Sequence, residues 1–406
     1  MLLRFQVANH RSIDEPVELS MIAVDEDRPA ARSFELLNEK VLPLAGIYGA
    51  NASGKSNVIA ALAWLSDAVA QSLRSWDQSI PREPFKFGGG AERRTSFEVD
   101  MVVDGVRYSY HLELDGAQVY FEALYSYPKR QRRSLFEREG LELALRRGLG
   151  SLSGTRELLT PTTLALSAAM RFDEPEVQSF GRELASIGVI GLRQHRVLTE
   201  LMLLGIAGFS DAIAGSESVL PLLRFADLGI DDIDIVESHT VDESGDTRSS
   251  RRIRLVHQVG AERVPFNLAD ESEGTRAWFA LIGPILIALR AGRTILFDEI
   301  DARLHPRLSA KLVALFRDPE TNPAGAQLIF TTHDTSLLNH LNRDEVWLTE
   351  KGATGATTLT ALAEYGGEKV RRSLNLEKAY LQGRFGAVPE FDQRLLREAL
   401  GLPEAA

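Results

Sequence analysis

One short segment restricts the fold of this 406-residue chain more than any other. Residues 49–56 read GANASGKS, which fits the phosphate-loop pattern of glycine, any four residues, glycine, lysine and serine or threonine. The apolar run 41–49 leads into this segment, and apolar residues recur at three- and four-residue spacing after it. We therefore predict a buried strand, a phosphate-binding loop and a helix from about 55 to 73, a combination typical of α/β folds.

The residue types in this loop suit the phosphates of a magnesium nucleotide. Gly49 and Gly54 allow the backbone to wrap closely around a phosphate, and the start of the helix directs amide groups and positive partial charge toward it. We expect Lys55 to reach the β- and γ-phosphates and the Ser56 hydroxyl to bind Mg²⁺.

A second motif ends a predicted strand with two adjacent carboxylates. Residues 294–299 read TILFDE, so an apolar strand would deliver Asp298 to the edge of the sheet, where it can hold Mg²⁺. Glu299 lies just beyond that edge and can polarise an attacking water. The alternative is a pair of solvated acids at the start of the next helix, but the upstream phosphate loop favours the catalytic interpretation.

Two further segments are candidates for contacts with the terminal phosphate. His333 follows the apolar strand 327–330, and we interpret it as a γ-phosphate contact rather than a purely structural histidine. Ser272, Gly274 and Thr275 lie where a loop becomes a helix, so the hydroxyl and the amides there can bind an anion. Taken alone, this second segment is explained as well by an ordinary helix N-cap.

The order of these motifs resembles that of the ABC-type ATPase heads of the SMC, RecF and OLD-nuclease group. Four segments carry the resemblance: GANASGKSN at the phosphate loop, ESEGT at the signature position, DEIDARLHP at the Walker B position and TTHD at the switch histidine. Within that group the chain is most similar to compact bacterial AAA family ATPases of the RloA-like kind, which are often found with phage-defence and restriction genes. There the similarity extends nearly from end to end, from FQVANHRSI to EKAYLQGRFGAVP.

The resemblance implies ATP as the nucleotide, with Mg²⁺, and it adds three loop residues to the candidate site, namely Asn51, Ser53 and Asn57. It also implies a head-to-tail homodimer, or a higher oligomer. In such a dimer Ser272 and Gly274 of one protomer complete the nucleotide site of the other, with Asp301 at the seam. The chain departs from the group in lacking a clear glutamine-loop residue. A glutamate also stands where transporter-type ABC signatures have their first glycine.

The remaining pattern predicts an α/β head around these motifs. Residues 96–127 predict an antiparallel meander with hairpin turns at Asp104-Gly105 and Asp115-Gly116, and the alternation of helices and strands over 274–349 predicts a doubly wound parallel sheet. Together with the resemblance, this is a P-loop NTPase of the ABC-ATPase head type, with a mixed or parallel core sheet, the meander and a helical insertion. We predict four segments: the first part of the head at 1–128, a helical insertion lobe at 129–223, the second part of the head at 224–350 and a tail packed on the head at 351–406.

Composition and charge restrict the location and the partners. The chain has no cysteine, which excludes disulfides and thiolate metal sites, and its formal net charge of −11 repels nucleic acid in bulk. Contact with DNA or RNA would need local basic patches, for which 129–133, 146–147 and 248–254 are candidates, although a solvated face is the alternative. Neither an apolar signal segment nor an uncharged apolar run of about 18 residues is present, so we expect a cytoplasmic protein without a membrane span.

These observations favour an ATPase that acts as a molecular switch. We expect it to dimerise around ATP and to control or scaffold a partner effector, a nuclease or toxin encoded alongside, in bacterial anti-phage defence; the defence role follows from the resemblance alone. The residues after His333 are too few for the nuclease domain of OLD proteins, and we interpret Asp231, Asp232 and Asp234 as a solvated strand face. The alternative is a DNA-binding repair ATPase similar to RecF and SMC. A transporter subunit is disfavoured by the meander and the unusual signature.

Overall fold

The computed structural model describes residues 1–192, 219–241, 247–365 and 375–387, apart from positions 26, 36, 227–228 and 303, together with residues 394 and 398–400. The strands of the described part are β1 (Leu2–Ala8), β2 (Val17–Ser20), β3 (Arg32–Ser33), β4 (Lys40–Val41), β5 (Leu44–Gly49), β6 (Thr95–Val103), β7 (Val106–Leu114), β8 (Val119–Ser126), β9 (Arg133–Glu139), β10 (Glu142–Leu145), β11 (Gly188–Ile190), β12 (Ile230–Val241), β13 (Thr247–Val259), β14 (Glu262–Asn267), β15 (Thr294–Phe297), β16 (Gln327–Thr331), β17 (Val346–Lys351) and β18 (Thr357–Ala361). The α-helices are α1 (Lys55–Ser75), α2 (Thr155–Leu158), α3 (Ala165–Ala169), α4 (Pro175–Ala185), α5 (Val219–Phe225), α6 (Glu273–Ala291), α7 (Pro306–Arg317) and α8 (Leu376–Leu381).

Seven antiparallel strands form the first sheet, in the order β10-β9-β8-β7-β6-β1-β2. The predicted hairpin between β6 and β7 is confirmed. Asp104 and Gly105 both have positive φ, 50° and 77°, as a two-residue type I′ turn requires. The next turn has a different basis, because the Asp115 carboxylate accepts hydrogen bonds from two amides that follow it, at 2.7 and 2.9 Å. A side chain therefore closes that loop between β7 and β8.

The second sheet is largely parallel and carries the phosphate loop. Its order is β11-β15-β16-β5-β17-β18, and only the edge strand β18 runs antiparallel to its neighbour. Phe297 at the end of β15 pairs with Phe330 of β16, and Thr331 pairs with Ile47 of β5. This register brings the carboxyl ends of β15, β16 and β5 to one edge, where open α/β sheets bind their ligands.

Two hydrophobic cores lie on opposite faces of the parallel sheet. Side chains of β5 alternate between them: Ala45 and Ile47 join the core shared with the first sheet and α1, whereas Leu44 and Tyr48 join the core shared with α6 and α7. The buried face of α1 carries the residues predicted for it, Val58, Leu62, Leu65 and Val69. The sheet is thus buried on both faces, which explains its continuous apolar strands.

The segment after Lys129 begins differently from the prediction. We expected helices from residue 129, but β9 and β10 extend the first sheet as a hairpin, and α2 begins only at Thr155. Arg138 is the physical reason, because it occupies an inward position of β9 where an apolar residue would have revealed the alternation of a strand. Residues 193–218 of the predicted insertion lobe lie outside the described residues.

A buried ion pair connects this hairpin with the helices that follow it. The side chains of Glu122 and Arg138 are both fully buried, with 3.5 Å between Oε2 and Nη1. Glu122 also accepts hydrogen bonds from the Tyr110 hydroxyl at 2.9 Å and from the first two amides of α3 at 2.6 and 2.7 Å. Arg138 donates to the carbonyl oxygens of Gly140, at 2.6 Å, and Thr160, at 2.8 Å. Burial raises the pKa of Glu122, and the guanidinium of Arg138 opposes that rise.

A smaller antiparallel sheet, β12-β13-β14, precedes α6. Ile230 and Leu255 on its inner face join the core of α6, and α5 contributes Leu223 to the same contacts. The described part of the tail packs there as well, through the buried side chains of Tyr380 and Phe385. The signature segment at the start of α6 therefore follows a sheet that is anchored on the head.

One helix in the described part of the chain, α6, is long and apolar enough to cross a membrane by length and composition. Half of its most apolar window is buried within the protein, and Trp278, Phe279 and Ile282 belong to the second core. Its apolar character thus follows from packing against the parallel sheet.

We expect Arg138→Ala to lower the free energy of unfolding by about 3–5 kcal/mol, because it leaves the Glu122 carboxylate buried without its partner. Urea denaturation followed by circular dichroism measures the change. Arg146→Ala, at an exposed position just after the same hairpin, is the matched control and should have little effect. A loss for Arg138→Ala no larger than that of the control would contradict the role of the pair.

Candidate nucleotide-binding site

The phosphate loop joins β5 to α1 in a conformation that requires its two glycines. Gly49 and Gly54 have φ of 152° and 107°, both in the region that side chains disfavour. A Cβ atom at Gly49 would lie 2.5 Å from the carbonyl oxygen of Thr349, so the neighbouring strand β17 also excludes a side chain. The loop therefore presents backbone amides at the start of α1, as phosphate binding requires.

Lys55, the first residue of α1, is buried over the loop. Its Nζ atom donates hydrogen bonds to the carbonyl oxygens of Gly49 and Ala50, at 3.0 and 3.1 Å. Burial lowers the pKa of Lys55, and the carboxylates of Glu299 and Asp298 oppose that shift. The ammonium group thus lies within electrostatic reach of both predicted catalytic acids.

Five hydroxyl and amide side chains support the loop from behind. The Asn57 amide donates to the Ser12 hydroxyl at 2.6 Å, and that hydroxyl lies 2.7 Å from the hydroxyl of Thr357. Thr357 in turn donates to the carbonyl oxygen of Ser53 at 2.8 Å, and the Ser53 hydroxyl lies 2.6 Å from that of Thr349. Ser53 and Asn57, predicted as nucleotide contacts, here hold the loop in place, whereas Asn51 is exposed.

The two predicted acids lie at the end of β15, and Thr331 of β16 holds both. The Thr331 hydroxyl donates to Asp298 Oδ1 at 2.7 Å and accepts the amide hydrogen of Glu299 at 2.7 Å. Glu299 has a φ of 54°, an uncommon conformation for a residue other than glycine. The neighbouring strand thus holds the Asp298 side chain and the Glu299 backbone at the sheet edge, and the next helix, α7, is capped by His305 rather than by either acid.

Asp301 and His333 meet on the same edge. The Asp301 carboxylate accepts a hydrogen bond from the Thr332 hydroxyl at 2.6 Å and one from the backbone amide of His333 at 3.2 Å. His333 is exposed, so its ring remains accessible from solvent. The resemblance implied a role for Asp301 between protomers, and within this chain Asp301 positions the segment that carries the histidine.

The signature segment forms the start of α6. The Ser272 hydroxyl caps the helix by accepting the Thr275 amide hydrogen at 3.1 Å, and it lies 2.8 Å from the Thr275 hydroxyl. Ser272 and Gly274 are exposed, whereas Thr275 is buried. A Cβ atom added at Gly274 would have its nearest neighbour, Ser272 Oγ, at 3.9 Å. The fold of a single chain therefore does not require glycine at position 274.

A wide groove of about 1940 Å³ connects the two halves of the candidate site. Ser56, Asp298 and Glu299 line it on the side of the phosphate loop, and Glu273 and Arg276 line it at the start of α6. The residues predicted to bind magnesium and to polarise water, Ser56, Asp298 and Glu299, therefore line one groove.

Sequence reasoning missed the residues that support the site. Thr331 had a signal, because it ends β16 and stands two residues before His333 in the TTHD segment. Ser12, Thr349 and Thr357 had none, since they lie about 40 to 300 residues from the phosphate loop along the chain and hydroxyl residues are common in loops.

The acidic segment of β12 is occupied by ion pairs. Arg263 contacts Asp231 and Asp232 at 3.0 and 2.9 Å, and Arg254 contacts Asp234 at 2.5 Å. This agrees with the predicted strand face, and the described residues contain no cluster of three or more histidine, aspartate or glutamate residues that could hold a metal ion.

Several arginines of the predicted basic patches are engaged within the chain. Arg133 pairs with Glu176, and the Arg132 guanidinium lies 3.8 Å from the centre of the Tyr125 ring. Arg146 and Arg147 are exposed. Arg130 donates a hydrogen bond to Asn38 Oδ1 at 2.7 Å. The side chains at positions 248, 251 and 252 lie outside those that the structure describes.

The fold and the site together define an α/β P-loop NTPase. Residues 44–339 match the family described as "AAA domain, putative AbiEii toxin, Type IV TA system", and the chain belongs to this family. No curated protein matches the chain.

Among solved structures, the chain is similar to "Crystal structure of the SmcHead bound to the C-winged helix domain of ScpA". The two share 16% identity over 89% of this chain and 97% of that chain, with a TM-score of 0.46. It is also similar to "SMC head domain from Thermotoga maritima", with 13% identity over 89% of this chain and 98% of that chain and a TM-score of 0.41.

We expect Thr331→Val to weaken the binding of Mg²⁺·ATP by about tenfold, because the nearly isosteric side chain no longer orients Asp298 or accepts the Glu299 amide. Calorimetry with and without Mg²⁺ measures the change, and the loss should be confined to the magnesium-dependent part of the affinity. Thr358→Val, at an exposed position of β18, is the matched control. Unchanged magnesium dependence in Thr331→Val would show that this hydroxyl does not organise the metal site.

Proposed function

We propose that this protein is a cytoplasmic ATPase that dimerises around ATP and uses hydrolysis to switch a partner effector. The observation that carries the proposal is that Ser56, Asp298 and Glu299 line one groove at the carboxyl edge of the parallel sheet, with the buried Lys55 ammonium within electrostatic reach of both acids. These residue types at that edge are the combination that binds and hydrolyses a magnesium nucleotide.

Each residue has a role that follows from its position. The loop amides and Lys55 bind the β- and γ-phosphates, for which the lysine gives up its contacts with the loop carbonyls. Ser56 and Asp298 hold Mg²⁺, which supplies positive charge to the phosphate oxygens. Glu299 accepts a hydrogen bond from the attacking water and increases its nucleophilicity. The ring of His333 donates a hydrogen bond to the γ-phosphate.

Dimerisation is supported by the signature segment. Ser272 and Gly274 are exposed at the start of α6, and glycine at 274 leaves open space that a single chain does not need. A helix start of this kind attracts an anion, and the γ-phosphate held by a second copy is that anion. Completing the site with a second subunit couples nucleotide state to assembly.

The effector is proposed to be a separate protein. Asp231, Asp232 and Asp234 pair with arginines and not with one another around a metal, which supports a head that regulates chemistry carried out elsewhere. A role in defence against phage, with a nuclease or toxin as the effector, is supported by the resemblance of the chain and by the toxin system in the description of its family.

We expect Glu299→Gln to bind ATP, to hydrolyse it at least about 100-fold more slowly and to accumulate as a closed dimer, because the amide cannot polarise water. Mass photometry with ATP and Mg²⁺ should shift the species from 44.8 kDa to about 90 kDa. Lys55→Ala is the control and should neither bind ATP nor shift.

Two outcomes of that measurement would argue against the proposal. Normal turnover by Glu299→Gln would remove this residue from catalysis, and a mass independent of nucleotide would remove the ATP-dependent dimer. A further shift on adding short DNA duplexes, which weakens steeply with salt, would instead favour the DNA-binding repair ATPase.

We expect Gly274→Gln to keep the monomer folded and able to bind ATP but to lower turnover by at least about tenfold and to prevent the ATP-dependent dimer. Position 274 is exposed and a Cβ atom there has its nearest neighbour at 3.9 Å, so the side chain can extend into solvent in one chain, but it would occupy the space of the partner's phosphate. Gly116→Gln, at another unrestricted glycine, serves as the control. Full activity of Gly274→Gln would contradict a shared site.

A further inference from the structure

The described tail packs on the segment that follows the switch histidine. A 3₁₀ turn, Thr335–His340, begins two residues after His333, and we call it the switch turn. Helix α8 lies against the switch turn. We call residues 375–387, which include α8, the tail clamp. After the last strand of the parallel sheet, the chain thus returns to the edge of that sheet that carries the candidate site.

One carboxylate of the tail clamp bonds to both ends of the switch turn. Glu377 Oε2 accepts a hydrogen bond from the side-chain amide of Asn339 at 2.7 Å, and Oε1 accepts one from the Thr335 hydroxyl at 3.4 Å. A charged acceptor gives stronger hydrogen bonds than a neutral one. The position of the turn along α8 is therefore set by a specific polar contact in addition to packing.

The tail clamp also contacts the strand that leads into the phosphate loop. Tyr380 packs edge-on against Tyr48, with 6.1 Å between the ring centres, and Tyr48 directly precedes Gly49. The Tyr380 hydroxyl donates to the carbonyl oxygen of Ala387 at 2.8 Å, which folds the segment back on itself. The tail clamp therefore contacts both the switch turn and the strand that precedes the phosphate loop.

A third contact anchors the end of the tail clamp. The Ala387 amide donates to Glu350 Oε1 at 2.8 Å, and the Tyr365 hydroxyl donates to the carbonyl oxygen of Phe385 at 2.9 Å. Glu350 belongs to β17, the neighbour of β5 in the parallel sheet. Because the segment is attached at both of its ends, α8 has a defined position against the switch turn.

The switch turn determines where His333 lies. The Asp334 carboxylate accepts the Ser336 amide hydrogen at 2.9 Å and so joins the histidine segment to the turn. On the other side, Asp301 accepts the amide hydrogen of His333. A displacement of the turn therefore moves the backbone of the histidine relative to the acid pair.

We propose that the tail clamp positions the switch histidine for catalysis, with Glu377 as the positioning residue. The inference rests on the proposed ATPase function. A misplacement of a catalytic group by about 1 Å lowers turnover strongly without weakening the binding of substrate through other residues. Lys55 and the loop amides hold the nucleotide independently of the switch turn, so loss of the Glu377 contacts with that turn affects kcat rather than KM.

The test compares Glu377→Ala, Asn339→Ala and the double variant in the full chain. We expect each to lower the kcat of ATP hydrolysis on the order of tenfold and to leave KM within about twofold of the unaltered protein. The double variant should be no slower than Glu377→Ala, because Asn339→Ala removes a contact that Glu377→Ala has already removed. Glu377→Gln keeps an acceptor for Asn339 and should restore most of the rate. Gln382→Ala, exposed on the same segment, is the control.

A second measurement does not depend on turnover. Hydrogen exchange of the peptide over 332–340 should become faster in Glu377→Ala, while the peptide over 49–57 should keep its exchange rate. If the unaltered protein hydrolyses ATP and Glu377→Ala has the same kcat, the role of the clamp is overturned and the proposed function stands. An effect of Glu377→Ala that appears entirely in KM would overturn the role of the clamp as well. ATP binding without hydrolysis by the unaltered protein would overturn the proposed function and, with it, the catalytic role of the clamp.

Discussion

The candidate site depends on the register of three parallel strands, β15, β16 and β5. Thr331 ends the middle strand, so its hydroxyl lies between the carboxylate of Asp298 and the amide of Glu299, and it contacts both at 2.7 Å. Since the side-chain period of a strand is two, a slip of one residue would move each side chain of β16 to the other face of the sheet, including Thr331 and the buried Phe330. The same register therefore buries the apolar side chains and places the two acids of the candidate site.

The phosphate loop is held by parts of the chain that lie far apart in sequence. Ser12 from the turn after β1 and Thr357 from β18 contact its back, and Tyr380 of the tail packs on the strand that precedes it. This arrangement preorganises the phosphate loop. The signature at Ser272 and Gly274, by contrast, is exposed and contacts solvent, as a surface that a second copy completes would be.

Sequence patterns predicted most of the α/β head and missed particular features for physical reasons. The strand–loop–helix unit at Lys55 and the acid pair after β15 were predictable because short-range geometry determines both. The hairpin of β9 and β10 was not, because Arg138 is inward-facing and its charge is balanced by Glu122 from another strand. The ion pairs of the β12 acids could not be predicted either, because partners such as Arg254 lie on the neighbouring strand.

The sequence by itself determined that this chain has a phosphate loop, two carboxylates after a buried strand, and a histidine after the next one. These features are local, because a glycine with positive φ or an apolar strand is encoded by a few neighbouring residues. Only the tertiary structure decided which side chains hold them: Thr331 for the acids, Ser12 and Thr357 for the loop, and Glu377 for the switch turn. Each of these side chains acts through one or two hydrogen bonds to residues that are distant in the sequence. Their partners are ordinary polar residues that acquire a role only when the register of the sheets brings them within about 3 Å of one another.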